Sequence, residues 1–249
     1  MEYEDIHYRL QSHYAGLAKG ESCHERERRK LDPVKQAISL GYSEADLSVV
    51  PSGAIMGMGC GNPLALTNLH PGETVLDVGC GGGLDAFLAA NAVGETGQVL
   101  GVDSTSQMIE RARENARGGA YDNVRFEQGE VEHLPLGDGC VDVVISNCVV
   151  NHCPDKLAAF KEILRVMRPG GRMHVTDLVT TGEFPREAYD DPIWGAWLTM
   201  ASGKQEYLDA IQKAGFRDIK VHSHGSFAMA EADTRLAGRI ENISVSAYR

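Results

Sequence analysis

The fold is decided by Val75-Leu76-Asp77-Val78-Gly79-Cys80-Gly81-Gly82-Gly83-Leu84-Asp85. Its apolar start predicts a buried strand, its glycines predict a tight loop, and its last residues open a helix. Glycine is needed where a backbone passes close under a ligand, because a Cβ would collide there. We therefore expect Gly79, Gly81 and Gly83 to form a loop that contacts a bound molecule.

The acids around this loop indicate which molecule it binds. The loop differs from the dinucleotide turn G-x-G-x-x-G, because its sixth position is Leu84. Asp77, just before the loop, would repel a pyrophosphate but suits a cationic amino group, such as that of S-adenosylmethionine (SAM). Asp103 ends the next apolar strand, ~20 residues on, where a ribose-binding carboxylate is expected. These two acids favour SAM over a nicotinamide dinucleotide.

Composition bounds the other possibilities. With 249 residues and 43% hydrophobic content, the chain predicts one large α/β domain, or one domain with an appendage. A formal net charge of −11 argues against binding to a nucleic acid backbone. No apolar stretch reaches the ~18 residues of a membrane span, and the acidic N-terminus lacks the features of a signal peptide. We therefore expect a cytoplasmic protein with no membrane and no nucleic acid partner.

From residue 73 onward, strand and helix patterns alternate, which is typical of a parallel sheet. We expect residues 1–70 to form a helical and loop segment that caps the active site. Residues 71–249 are expected to form the SAM-binding domain, with an irregular, substrate-side insert at about 180–203. The predicted strands are 74–78, 98–102, 124–127, 141–146, 173–179, 219–223 and 243–247. The predicted helices are 32–40, 84–92, 107–116, 156–165 (stopping at 169–171) and 204–214.

This pattern resembles the class I SAM-dependent methyltransferase fold, a seven-stranded, mostly parallel sheet with helices on both faces. In that fold the last strand is antiparallel, and ligands bind at the carboxyl ends of the strands. The resemblance implies that Asp77 orders the loop or binds the methionine amine, and that Asp103 accepts from both ribose hydroxyls. It also implies that Glu130 binds adenine. The remaining predicted cofactor contacts are Gly79, Cys80, Gly81, Ser104, Met108 (on adenine or in the core), Gly129, Val131 and Asn147.

Three segments, at 57–63, 129–135 and 146–156, resemble the arsenite methyltransferase family, and the similarity runs from about 42 to 216. Two of them read Gly-Cys-Gly-Asn-Pro and Ser-Asn-Cys-Val. The resemblance implies that Cys60 and Cys148 bind trivalent arsenic and hold it for methylation. Thiolate suits this soft element. The family also implies small thiol partners, glutathione or thioredoxin, that deliver or reduce the arsenical.

The sequence departs from this family at its third arsenic-binding cysteine, whose place is taken by Trp197. Cys153 is an extra thiol, and Cys23 loosely matches an upstream family cysteine, so either could supply a third sulfur. In a methylated arsenical, one of the three bonds of arsenic is already made to carbon, so only two thiolates are needed. We therefore expect a preference for methylarsenite over arsenite, with Trp197 packing on the methyl group.

Three alternatives remain. The first is a methyltransferase for a small organic oxygen, nitrogen, carbon or sulfur acceptor, with Trp194 and Trp197 lining an apolar pocket and Cys60 and Cys148 merely packing. The second is a non-catalytic metalloid-binding or SAM-sensing protein. The third, a nicotinamide oxidoreductase, is disfavoured by the loop. The six cysteines contain no C-x-x-C pair, which argues against a structural zinc site.

Overall fold

A computed structural model describes residues 3–20, 32–191, 194–227 and 233–249. Its core is a seven-stranded sheet with the order β3-β2-β1-β4-β5-β7-β6. Strands β1 to β5 run parallel, and β7 lies antiparallel between β5 and β6. This confirms the predicted sheet. The strands are β1 Thr74–Val78, β2 Gln98–Asp103, β3 Val124–Gln128, β4 Val141–Asn147, β5 Met167–Thr180, β6 Arg217–Ser226 and β7 Ile240–Tyr248.

Helices cover both faces of this sheet. Alternate residues of β1 join different apolar clusters: Val75 packs on one face with Phe87, whereas Leu76 packs on the other with Phe160 and Tyr207. The described helices are α1 Tyr3–Ala18, α2 Pro33–Ser39, α3 Glu44–Ser48, α4 Leu84–Val93, α5 Ser106–Gly119, α6 Lys156–Val166, α7 Arg186–Tyr189, α8 Trp194–Met200 and α9 Lys204–Ala214. Among the same described residues, short 3₁₀ turns lie at Ser52–Ala54, Pro63–Leu66 and Val150–His152.

The junction between α6 and β5 differs from the prediction. The helix was predicted at 156–165, and α6 ends at Val166, one residue later. The strand was predicted to begin at Met173, but β5 begins at Met167, so the break expected at residues 169–171 lies within the strand. The backbone of Met167 already pairs with Val141, and the register then shifts before the regular ladder starts. The Pro-Gly-Gly sequence therefore lies in an irregular part of the strand.

The first seventy residues contain a helix that the sequence analysis missed. Ile6 is buried, and Leu10 and Tyr14, each one turn further along, face the cavity described below. Arg111 of α5 anchors the end of this helix, since its guanidinium donates to the carbonyl of Ala18 at 2.9 Å and to that of Gly53 at 2.8 Å. Cys23 lies outside the described residues.

The insert at about 180–203 is more regular than we expected, because it contains α7 and α8. In the part of the chain that the structure describes, no helix has both the length and the apolar character of a membrane span.

Candidate functional site

One cavity lies at the carboxyl ends of β1, β2 and β4, and α1 contributes Leu10, Gln11 and Tyr14 to its wall. This is the edge of the sheet where the fold predicts ligands. Every predicted cofactor contact lines this cavity: Asp77, Gly79, Cys80, Gly81, Asp103, Ser104, Met108, Gly129, Glu130, Val131 and Asn147. The structure thus brings together residues that are far apart in the sequence.

The three loop glycines all have positive φ angles, but for different reasons. A Cβ on Gly79 would collide with the side chain of Val149, and one on Gly83 would lie 2.7 Å from the ring of Phe87. A Cβ on Gly81 would meet no described atom within 4 Å. Packing of the protein therefore requires two of the glycines, and only Gly81 faces open space where a ligand would lie.

Asp77 is a buried carboxylate with one oxygen to spare. Its side chain accepts a backbone hydrogen bond from Ala86 at the start of α4, while its Oδ2 has no hydrogen-bond partner among the described residues. Burial, and then the charges of Asp85 and Asp103, raise its pKa well above the usual range. A cationic amine at Oδ2 would stabilise the charged carboxylate and lower this pKa, so the site fits the amino group of SAM.

Asp103 is already held by the backbone. Its Oδ2 accepts from the N–H of Gly81 and its Oδ1 from the N–H of Thr105, both at 2.9 Å. Burial raises its pKa, and these bonds oppose the rise. Each carboxylate oxygen can accept a second hydrogen bond, so two acceptor positions remain for ribose hydroxyls. Glu130, predicted to bind adenine, accepts from the side chain of Gln11 at 3.3 Å.

The two cysteines implied to bind arsenic lie side by side. Cys148 follows β4 with a φ of 62° and lines the cavity. Cys60 lies behind the cavity wall at 1% exposure, in an apolar cluster that includes Cys148 and Trp197. Burial raises the pKa of the Cys60 thiol first, and the adjacent Cys148 thiol, through a hydrogen bond and its charge, raises it further.

Tyr42 and Asp85 are site residues that the sequence analysis missed. The Tyr42 hydroxyl donates to Asp85 Oδ1 at 2.7 Å and accepts from the side-chain amide of Asn147 at 3.0 Å. Burial raises the pKa of Asp85 to about 6. Asp85 could have been identified from the sequence, as an acid in the otherwise apolar first turn of α4. Tyr42 could not, because its position is set only by tertiary contacts.

His152 is a further residue that the sequence analysis did not select. It lines the cavity, and its Nε2 has no partner in the described part of the chain. Its ring lies between that of Tyr14, stacked at 6.3 Å between centroids, and that of Trp197, edge-on at 6.3 Å. Burial lowers its pKa to about 4, so the ring is neutral at physiological pH.

Trp197 is 4% exposed and packs against Trp194 with ring centroids 5.7 Å apart. Trp197 is the residue that the sequence resemblance matches to the family's third arsenic-binding cysteine. Cys153 is buried but lines the cavity, and its thiol faces the carbonyl of Val149 at 3.8 Å. Across residues 3–20, 32–191, 194–227 and 233–249, no three His, Cys, Asp or Glu side chains form a metal site.

Comparisons with known proteins place these features in context. A family described as methyltransferase domain matches residues 69–215. An arsenite methyltransferase of Halobacterium salinarum is 46% identical over 184 residues, which cover 73% of this chain and 47% of that protein. The chain spans about half the length of the curated arsenite methyltransferases it matches first. A demethylmenaquinone methyltransferase of Lactococcus lactis is 38% identical over 182 residues, covering 64% of this chain and 71% of that protein.

Among solved structures, an arsenic(III) S-adenosylmethionine methyltransferase from Chlamydomonas reinhardtii is similar, with a TM-score of 0.67 and 32% sequence identity. The match covers 88% of this chain and 74% of that one.

Proposed function

We propose, on the premise that the chain belongs to the arsenite methyltransferase family of class I SAM-dependent methyltransferases, that it methylates a trivalent arsenical. The observation that carries this proposal is the pairing of Cys60 with Cys148 at the edge of the cofactor cavity. The two thiols come from distant segments, and a pair of soft sulfur ligands is what trivalent arsenic requires.

When bound, SAM supplies an electrophilic methyl carbon on its sulfonium sulfur. In our proposal the spare oxygen of Asp77 holds the amino group of SAM, and the remaining acceptor positions of Asp103 hold the ribose hydroxyls. Gly81 leaves open space for SAM, and the buried Met108, which lines the cavity, would contact the adenine. Glu130 remains our candidate for the adenine contact.

The two cysteines would capture the substrate by thiol exchange. Each new bond between a cysteine sulfur and arsenic breaks one bond between arsenic and a small thiol, which leaves with the cysteine's proton. Cys148 is on the cavity wall and Cys60 lies behind it, so capture would begin at Cys148 and finish at Cys60. Holding the arsenic lone pair in line would be the main contribution of the protein to the rate.

The finer part of the proposal is that methylarsenite is preferred over arsenite. Inorganic arsenite makes three bonds and would take a third thiolate. The residue matched to the family's third cysteine is Trp197, a bulky side chain in the same apolar cluster as Cys60. Methylarsenite needs only the two cysteines, and its methyl group would pack against an apolar wall. We also propose that the protein acts in the cytoplasm in arsenic detoxification, with glutathione or thioredoxin as the thiol partner.

The test compares kcat/KM for arsenite and methylarsenite in the wild type, Trp197→Cys and Cys153→Ser. We expect the wild type to favour methylarsenite and Trp197→Cys to gain arsenite activity. Cys153→Ser is the control for the extra cavity thiol, and we expect its preference to match that of the wild type. Equal rates for both substrates in the wild type and in Cys153→Ser would contradict the preference.

A second candidate function is methylation of a small organic acceptor, which the similarity to the Lactococcus enzyme favours. In that case Cys60 and Cys148 would be packing residues. The two functions separate in the Cys60→Ser, Cys148→Ser double variant. Loss of all arsenical turnover with wild-type SAM affinity supports the first function, while undiminished methylation of an organic acceptor supports the second.

A further inference from the structure

We infer that Asn147 is a positioning residue for substrate capture, because its side-chain amide fixes the loop of Cys60 beside Cys148. The inference rests on the proposed function, and it assigns Asn147 a role other than the cofactor contact expected from the sequence. Asn147 ends β4 and directly precedes Cys148, so one short piece of backbone carries both the amide and the thiol.

The amide is fully engaged by the protein. Its Oδ1 accepts from the backbone N–H of Cys60 at 3.0 Å and faces the Cys60 thiol at 3.7 Å. Its Nδ2 donates to the carbonyl of Gly61 at 2.8 Å and to the hydroxyl of Tyr42 at 3.0 Å. A primary amide has two donor hydrogens and one acceptor oxygen. The donors of Asn147 are thus used, although the residue lines the cavity.

The loop that carries Cys60 fits closely around this amide. A Cβ on Gly59 would lie 2.8 Å from Asn147, so glycine is needed for the loop to approach. A second asparagine, Asn242 of β7, donates to the carbonyl of Cys60 at 3.2 Å. The backbone of Cys60 is therefore held on its N–H side by Asn147 and on its carbonyl side by Asn242.

The same amide connects the cysteines to the cofactor side of the cavity. Tyr42 receives the hydrogen bond from Asn147 and passes one on to Asp85, which lies in the first turn of α4 directly after the glycine loop. Asp85 is held by the Tyr42 hydroxyl at 2.7 Å, whereas its direct contact with the Asn147 amide is long, at 3.4 Å. Loss of the amide should therefore disturb the cysteine loop strongly and the glycine loop weakly. This difference separates a positioning role from a direct cofactor contact.

The experiment measures two affinities in the same variants. Phenylarsine oxide is the arsenical probe, because it captures two thiols: two As–S bonds form, and the oxide oxygen leaves as water with both thiol protons. Its binding is followed by quenching of Trp194 and Trp197, which lie in the Cys60 cluster. SAM affinity is measured by calorimetry. The variants are Asn147→Ala and Asn147→Asp, with Asn123→Ala as control, since Asn123 also donates to backbone carbonyls but at Ala90 and Gly94.

We expect Asn147→Ala to lower the affinity for phenylarsine oxide by at least about tenfold, with SAM affinity within about threefold of the wild type. Asn147→Asp keeps the acceptor for the Cys60 N–H but loses the donors, so a smaller loss is expected. Partial rescue of this kind would not arise from general destabilisation. Asn123→Ala should leave both affinities unchanged.

Two results in the variants would overturn the inference. One is unchanged affinity for phenylarsine oxide in folded Asn147→Ala or, if that variant does not fold, in Asn147→Asp. The other is a loss of SAM affinity as large as the loss of arsenical affinity, which would make Asn147 a cofactor contact. Wild type that fails to bind phenylarsine oxide also overturns it, whereas wild type that binds the probe but methylates no arsenical refutes only the proposed function.

Discussion

At the scale of single residues, the site is dominated by buried acids. Asp77, Asp85 and Asp103 lie near one another, and burial raises the pKa of each. Burying several carboxylates without a cation is costly, so this cluster is suited to a ligand that brings positive charge. Asp77 and Asp103 were predictable because they lie at the ends of strands next to the glycine loop. Asp85 was marked only as an acid in the apolar first turn of α4, and its contacts with Tyr42 and Asn147 are what place it in the site.

We predict that Asp103→Ala weakens SAM binding without unfolding the protein. Loss of charge-assisted hydrogen bonds to the ribose should cost on the order of 1.5–3 kcal/mol each, or at least about tenfold in affinity. The measurement is calorimetric titration with SAM. Asp142→Ala is the matched control, because Asp142 also accepts a backbone N–H, from Thr74 at 2.8 Å, but at the start of β1. Wild-type affinity in folded Asp103→Ala would contradict the ribose assignment.

A second prediction concerns Asp177, which burial gives a pKa of about 6 although it accepts from Asn151, Leu178 and Tyr207. Its folded pKa lies above the unfolded value, so its contribution to stability is complete below about pH 4 and is lost as the pH rises through 6. We therefore expect Asp177→Asn to be more destabilising at pH 4 than at pH 7.5, by on the order of 2 kcal/mol.

Urea unfolding at the two pH values measures this difference for Asp177. Tyr207→Phe serves as the control, since it removes one hydrogen bond but keeps the ionisable carboxyl. Its destabilisation should not shrink with rising pH as that of Asp177→Asn does. An Asp177→Asn effect that is equal at both pH values would refute the raised pKa.

At the scale of elements, the glycine loop shows what a sequence motif can and cannot predict. The pattern of apolar residues and glycines predicted β1, the loop and α4 with nearly the observed bounds. It did not reveal that Gly79 must be glycine because of Val149, which is distant in the sequence, or that Gly83 must be glycine because of Phe87, one helical turn along α4. Helix α1 was missed for a similar reason, since its apolar positions are few and gain meaning only against α5 and the cavity.

We predict that alanine at two positions of this loop affects different properties, SAM binding at one and stability at the other. Gly81→Ala should fold but bind SAM at least about tenfold more weakly, because its Cβ enters the open space of the cavity. Gly79→Ala should destabilise the fold, because its Cβ meets Val149. Gly139→Ala is the control for backbone strain alone: its φ of 57° is close to the 51° of Gly81, and it lies outside the cavity wall.

Thermal melting and SAM titration of the three glycine variants test this prediction. Gly81→Ala with wild-type SAM affinity would show that the loop is not the cofactor site. Equal melting temperatures for Gly79→Ala and Gly139→Ala would show that contact with Val149 does not matter.

At the scale of the whole molecule, the N-terminal helix and the sheet share one cavity. Helix α1 contributes three side chains to the cavity wall and is tied to α5 through Arg111. The topology of the sheet was predictable from the alternation of strand and helix patterns. The placement of α1 over the cavity depends on single long-range hydrogen bonds, such as that between Gln11 and Glu130, which no local pattern encodes.

We predict that Arg111→Ala loosens α1 and weakens SAM binding severalfold, since the carbonyls of Ala18 and Gly53 lose their donor. Limited proteolysis with chymotrypsin, which can cut after Tyr8 and Tyr14, measures the loosening. Arg113→Ala is the control on the same helix, because Arg113 donates to the carbonyl of Phe126 in β3 instead. Equal cleavage rates in the two variants would contradict an anchoring role for Arg111.

The burial of Cys60 bears on how the protein survives oxidants. Peroxide attacks the thiolate form of cysteine, and the buried, raised-pKa thiol of Cys60 stays protonated at neutral pH. Sulfenic acid would therefore form slowly at Cys60 in the resting protein. The Cys60 thiol would stay reduced for longer than the thiol of an exposed cysteine. Burial would thus have two effects on Cys60: the thiol would bind the arsenical after Cys148, and it would resist oxidation by air.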